Sequence, residues 1–165
     1  GTISRRDNFI NNNTGEIMLI NKNTNILHSV SELVNVANFG WVTNVLKLAM
    51  KTLSNKAHGL AHVQTMVNSS LIQPQRAFAM KLDGKVEVFI NPVFKPSVIG
   101  GSSTEEEECL SVNGKFNVSR FKKGKLISQN QSPVKLSGFD ARVCQHEIDH
   151  LDGILISDAG EKVTA

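Results

Sequence analysis

The segment His146-Glu147-Ile148-Asp149-His150 constrains this chain more than any other stretch. Around it, Phe139, Val143, His146 and His150 fall at i, i+4, i+7 and i+11, one face of a helix starting near Ser137. Ala141, Cys144, Ile148 and Leu151 form a second apolar stripe on the same helix. A helix apolar on two sides must be enclosed, so the other elements have to wrap it. Residues four apart lie about 40° apart around the axis, so both imidazoles can reach one metal ion. Glu147, about 100° from His146, is offset to hold a water. Burying two imidazoles without partners costs free energy, which favours a shared ion over plain packing.

The remainder of the chain is enough for one such wrapping. Its 165 residues, 40% hydrophobic and 20% charged, amount to one compact domain that buries a core without staples. No run of apolar residues reaches membrane-span length, and the N-terminus, with Arg5, Arg6, Asp7 and three asparagines, lacks the apolar centre of a signal peptide. A soluble, cytoplasmic monomer is the expectation. Cys109 and Cys144 are too few for a disulfide framework, which leaves each free for metal binding or packing. The net charge is +3, but the basic residues do not cluster along the chain. Arg120 to Lys125 reads as a solvated hairpin tip, and neither nucleic acid nor membrane is expected as a partner.

Residues 1–17 read as a polar extension and 18–165 as a single catalytic domain, with Met18 a candidate native start. Ser29 and Glu32 fit a capping box, and Leu33, Val36, Ala37, Val45, Leu48, Ala49 and Leu53 predict a helix interrupted near Gly40. Arg76 to Met80 and Val86 to Ile90 flank Asp83-Gly84, a two-residue hairpin signal. Pro92, Pro96, Gly100 and Gly101 are expected to break regular structure, and Glu105 to Glu108 to form a hydrated loop. Phe116 to Val118 and Leu126 to Ser128 are short strands.

A catalytic divalent ion wants three protein ligands and an open position. Downstream of the helix only Asp152, Asp158 and Glu161 are available, as in zincin-type peptidases. Upstream, Cys109 in Glu107-Glu108-Cys109-Leu110-Ser111, read as a strand lying beside the helix, would complete a set of one thiolate and two imidazoles. With one soft sulfur such a site accepts iron, zinc, nickel or cobalt.

Three segments in chain order resemble the peptide deformylases, enzymes that remove the formyl group from the N-terminal formylmethionine of new proteins. They are Ala57-His58-Gly59-Leu60-Ala61-His62-Val63-Gln64, then Glu107 to Ser111, then Gln145 to Leu151, with Ile90-Asn91-Pro92 between the first two. The resemblance covers roughly residues 18–156. It implies an α+β fold, antiparallel β-sheets around a central buried helix that carries the His-Glu-x-x-His sequence. It implies that Cys109, His146 and His150 bind the metal, expected to be iron(II). Glu147 would exchange protons with the activated water, while Gln64 and the backbone N–H of Leu110 hold the formyl oxygen. The substrates would be formylmethionyl peptides or nascent chains, in a groove with Gly59, Glu108 and Val143.

The chain departs from the family in several places. Ala57 and His62 replace a Gly and an Ala, making the loop bulkier. Glu108 replaces a Gly where substrate adds as a strand, and a side chain restricts φ there. The interval from Cys109 to His146 is short, suggesting a trimmed hairpin near Gln129 to Pro133. Only Ile154 to Ala165 follows the motif helix, so docking on the ribosome through a C-terminal helix is not implied; the reduced form is similar to versions carried by bacterial viruses. Two other readings stand beside this one: a zincin-type metallopeptidase, and a metal-stabilised peptide-binding protein without turnover.

Overall fold

The computed structural model describes residues 8–10, 17–19, 22–65 and 73–164. In chain order they form strands β1 (Asn8–Ile10) and β2 (Ile17–Leu19), a one-turn helix α1 (Thr24–Leu27), helix α2 (Phe39–Leu53), and strands β3 (Gly59–Ala61), β4 (Ala77–Leu82), β5 (Lys85–Ile90) and β6 (Val93–Pro96). Strands β7 (Ser102–Cys109), β8 (Val112–Phe121), β9 (Lys123–Ile127) and β10 (Val134–Ser137) follow, then helices α3 (Gly138–Leu151) and α4 (Ile156–Ala159) and strand β11 (Glu161–Lys162). Three antiparallel sheets, β3-β4-β5, β6-β9-β10 and β7-β8-β11, surround α3, with β1 and β2 forming a separate pair. The α+β architecture matches the expectation. Most of the polar N-terminal stretch lies outside the described residues, but β1 within it pairs with β2 at its border. Among the described residues no helix is long and apolar enough to cross a membrane.

The sheet β3-β4-β5 is a partition between two helices, and the alternation of β4 explains why. Small Ala77 and Ala79 face the buried side of α2, formed by Val42, Leu46, Ala49, Met50 and Leu53. Large Phe78 and Met80 face the other way, into a cluster with Phe89, Leu126, Leu136 and the α3 residues Ala141, Cys144 and Leu151. Truncating Phe78, which is fully buried, would cost about 3–5 kcal/mol. The turn between β4 and β5 is the predicted one: Asp83 and Gly84 both take positive φ, 50° and 78°, as a tight two-residue hairpin turn requires.

The helix predicted from Ser29 begins only at Phe39, after a 3₁₀ turn at Val36–Asn38. Tertiary pairing overrides the local signal. The N–H of Glu32 donates to Pro74 at 2.9 Å, and the N–H of Arg76 to Glu32 at 2.8 Å. Ser29 meanwhile donates its hydroxyl to the carbonyl of Ile26, closing α1 instead of opening α2. Leu33 and Val36, expected in the core, are 69% and 75% exposed.

The acidic tract is part of β7: Glu105 and Glu106 do not form the expected loop, while Glu107 to Cys109 take the strand expected around the cysteine, with Glu107 opposite Phe116 and Glu108 opposite Lys115 on β8. The segment between Pro92 and Pro96 forms β6, an edge strand where a missing N–H is tolerated. Near Gln129 to Pro133 the short connection lies along β5: Asn130 accepts from the N–H of Ile90 at 2.9 Å and donates to the carbonyl of Val88 at 2.8 Å. Helix α3 starts after Ser137 as predicted, with Ala141, Cys144 and Leu151 buried. Phe139 departs from its predicted buried face and stands 58% exposed, its ring edge-on to His58.

Candidate metal centre and substrate groove

Two elements bring the donors together. Helix α3 supplies His146 and His150, whose rings lie 5.1 Å apart. Strand β7 supplies Cys109 at its last position, next to a register irregularity between Glu108 and Cys109. The Cys109 Sγ is 3.3 Å from His150 Nε2, and one donor atom from each of the three residues lies within 4.8 Å of the others. Tetrahedral coordination at ordinary Zn–S and Zn–N lengths places donors about 3.5 Å apart, so the set fits a divalent ion after a small closure. The downstream acids are engaged elsewhere. Asp152 pairs with Arg76 at 2.8 Å, Asp158 with His28 at 2.9 Å, and Glu161 lies in exposed β11. Among the described residues, Cys109 and not a downstream acid groups with the two histidines.

Behind His146 stands Glu107, to which the sequence alone assigns no role in the site. It is 8% exposed, and its carboxylate accepts from His146 Nδ1 at 2.9 Å, leaving Nε2 for an ion. Arg120 grips the same carboxylate with two bonds of 3.0 and 2.9 Å, and Arg142 adds one of 2.6 Å. Burial alone would raise the Glu107 pKa, but the hydrogen bonds from His146 and Arg120 outweigh it and hold the group at about 2. Arg120 also pairs with Asp149, and Arg142 with Glu105. Arg120 is thus buried, against its reading as part of a solvated hairpin tip. A period-two pattern, Glu105, Glu107, Cys109, was the available signal that the tract is a strand with Glu107 and the thiol on one face.

The electrostatics favour bound cationic charge. Burial would raise the Cys109 thiol, yet the charge on His150 and hydrogen bonds from both histidines hold it well below the usual thiol value. His146 is raised well above the ordinary imidazole value despite burial, by bonds to Cys109 and Glu107. Glu147 is 4% exposed, and burial pushes its pKa up. Its Oε1 and the His150 Nδ1 are buried without a hydrogen-bond partner among the described residues. Cys144 is a plain core residue, its thiol pushed up by burial.

The loop through β3 completes the site. The Gln64 Oε1 accepts from the N–H of Ala61 at 3.0 Å, which turns its NH₂ toward Ser111 Oγ at 3.2 Å and Cys109 Sγ at 3.6 Å. Ser111 is a contact that sequence reasoning did not single out. Gly59, Glu108, Leu110 and Val143 line the same cleft of about 370 Å³, alongside Gln64 and Glu147. Glu108 has no positive φ, so its side chain sits on ordinary strand backbone, 3.4 Å from Lys115 Nζ. His62, by contrast, is buried under Trp41 and accepts from the N–H of Gln75 at 3.0 Å.

The family model for polypeptide deformylase matches residues 16–164. A peptide deformylase of Prochlorococcus marinus is 34% identical over 147 residues, 80% of this chain and 74% of its own length. One from Rhodopirellula baltica is 42% identical over 82 residues, 46% of this chain, and the match spans only 39% of that relative's length. The crystal structure of the Thermotoga maritima peptide deformylase superposes with a TM-score of 0.73 at 27% identity, covering 87% of this chain and 97% of that one.

Proposed function

This chain belongs to the polypeptide deformylase family, and from that premise we propose that it hydrolyses the N-formyl group of formylmethionyl peptides and nascent chains. The catalytic unit in this reading is residues 18–165. The observation that carries it is the convergence of Cys109, His146 and His150 beside a buried carboxylate with an unpartnered oxygen. The three donors would hold one divalent ion, iron(II) in the working enzyme, with zinc, nickel or cobalt as substitutes. When bound, the ion supplies Lewis acidity, bringing water toward neutrality in pKa and polarising a carbonyl.

Glu147 takes the proton from the attacking water, and its raised pKa suits a group that must accept a proton and release it again. The amide NH₂ of Gln64 and the backbone N–H of Leu110 donate to the formyl oxygen as charge develops on it. The formyl C–N bond then breaks, formate leaves, and Glu147 returns its proton to the amine. Glu107 fixes the tautomer of His146 by accepting at Nδ1. Gly59, Glu108 and Val143 shape the groove in which the peptide lies.

The test is formate release from formyl-Met-Ala-Ser under anaerobic conditions, with metal analysis on the same sample. Turnover with a bound ion is expected. Bound ion without formate would replace this reading by that of a metal-stabilised peptide-binding protein.

A further inference from the structure

The linear sequence scatters its lysines, but the sheet β6-β9-β10 gathers them. Lys95 pairs in register with Lys125, and Lys125 with Lys135, so the three stand in one row across three strands. At about 4.8 Å between strands the row is about 10 Å long. Lys123 lies two positions further along β9, on the same face. All four are exposed, while Phe94, Leu126 and Leu136 on the opposite face enter the core. Like charges directly opposite one another destabilise a sheet. None of the four makes an ion pair among the described residues.

The row borders a depression of about 420 Å³ that no acidic residue lines. Ser97 and Ser137 supply hydroxyls there. Ser137, the N-cap of α3, makes no side-chain cap bond, which leaves its hydroxyl available at the depression. Four ammonium groups and two hydroxyls around one depression form a surface complementary to consecutive phosphates. We propose that this face binds the phosphodiester backbone of single-stranded RNA, without base specificity. An open depression ringed by ammonium groups suits a strand of phosphates better than a lipid surface, which asks for inserted apolar groups. Val98 and Ile99, exposed in the turn after β6 but outside the depression, make lipid the alternative to test.

Fluorescence anisotropy with a labelled oligouridine of about twelve nucleotides reads the binding. With four phosphate contacts a fourfold rise in KCl weakens it by about 50-fold. Replacing Lys95, Lys125 and Lys135 together by Gln makes the log–log salt slope shallower by about 2, with formate release unchanged. Replacing exposed Lys47, Lys51 and Lys85 instead removes the same charge and leaves the slope as it was. Should the triple variant not fold, each single variant reads a slope change of about 0.7. The proposal is overturned if oligouridine does not bind, if both triple variants lose affinity alike, or if phosphatidylserine vesicles bind while RNA does not.

Discussion

A side chain at Gly59 would collide with Glu147: a Cβ built there stands 2.7 Å from the Glu147 Oε2 and 2.9 Å from Val143 Cγ1. Strand β3 can approach α3 this closely only because position 59 has no side chain, and the approach fixes where the carboxylate sits. Gly59→Ala should displace Glu147 without touching the metal donors. A misplacement of about 1 Å costs about 10²-fold, so kcat/KM should fall by that order while metal content holds. Metal lost together with activity would contradict this.

Glu147→Ala and Cys109→Ser separate proton transfer from ligation. The first should keep its ion and lose about 10²–10⁴-fold in turnover, because it removes a proton carrier and not a donor. The second should lose the ion. Metal analysis beside formate release checks both, and an undiminished ion in Cys109→Ser would move the third ligand to the downstream acids.

Glu107→Ala should damage both fold and site. It leaves the Arg120 and Arg142 guanidinium groups buried without their shared carboxylate, a loss of about 3–5 kcal/mol. It also frees His146 Nδ1, which should weaken metal binding by about 10–100-fold. Denaturant unfolding and metal competition measure the two effects separately.

His62 sets an acid limit on stability. Burial lowers its pKa to about 4 from an ordinary 6.5. The native state keeps the ring neutral where the unfolded chain would protonate it, so protons favour unfolding. This contribution is constant above pH 6.5 and is lost as the pH falls from 6.5 to 4, by up to about 3 kcal/mol. His62→Asn offers an oxygen acceptor to the Gln75 N–H but cannot titrate. Its stability should depend less on pH across that window, measured as the difference from wild type in urea midpoints.

What was legible in the sequence was what local periodicity and turn chemistry decide. The ligand helix, its start after Ser137, the Asp83-Gly84 hairpin and the burial of Cys144 all follow from spacing. What was hidden depends on partners far along the chain. Glu32 gave up a helix cap to pair with Gln75, and Leu33 and Val36 went to the surface with it. The glutamates before Cys109 read as solvated because Arg120 and Arg142, which pair with two of them, belong to β8 and α3. The lysine row was invisible for the same reason, since strand register alone creates it.

Cys109 and His150 are 41 residues apart and belong to different elements. An ion shared between them would therefore be a rivet across the seam between strand β7 and helix α3. Partial opening of that seam, well short of global unfolding, would release the cation and with it the proposed formate release. Chelators should accordingly lower the melting temperature as well as the rate, and thiol oxidation should mimic them.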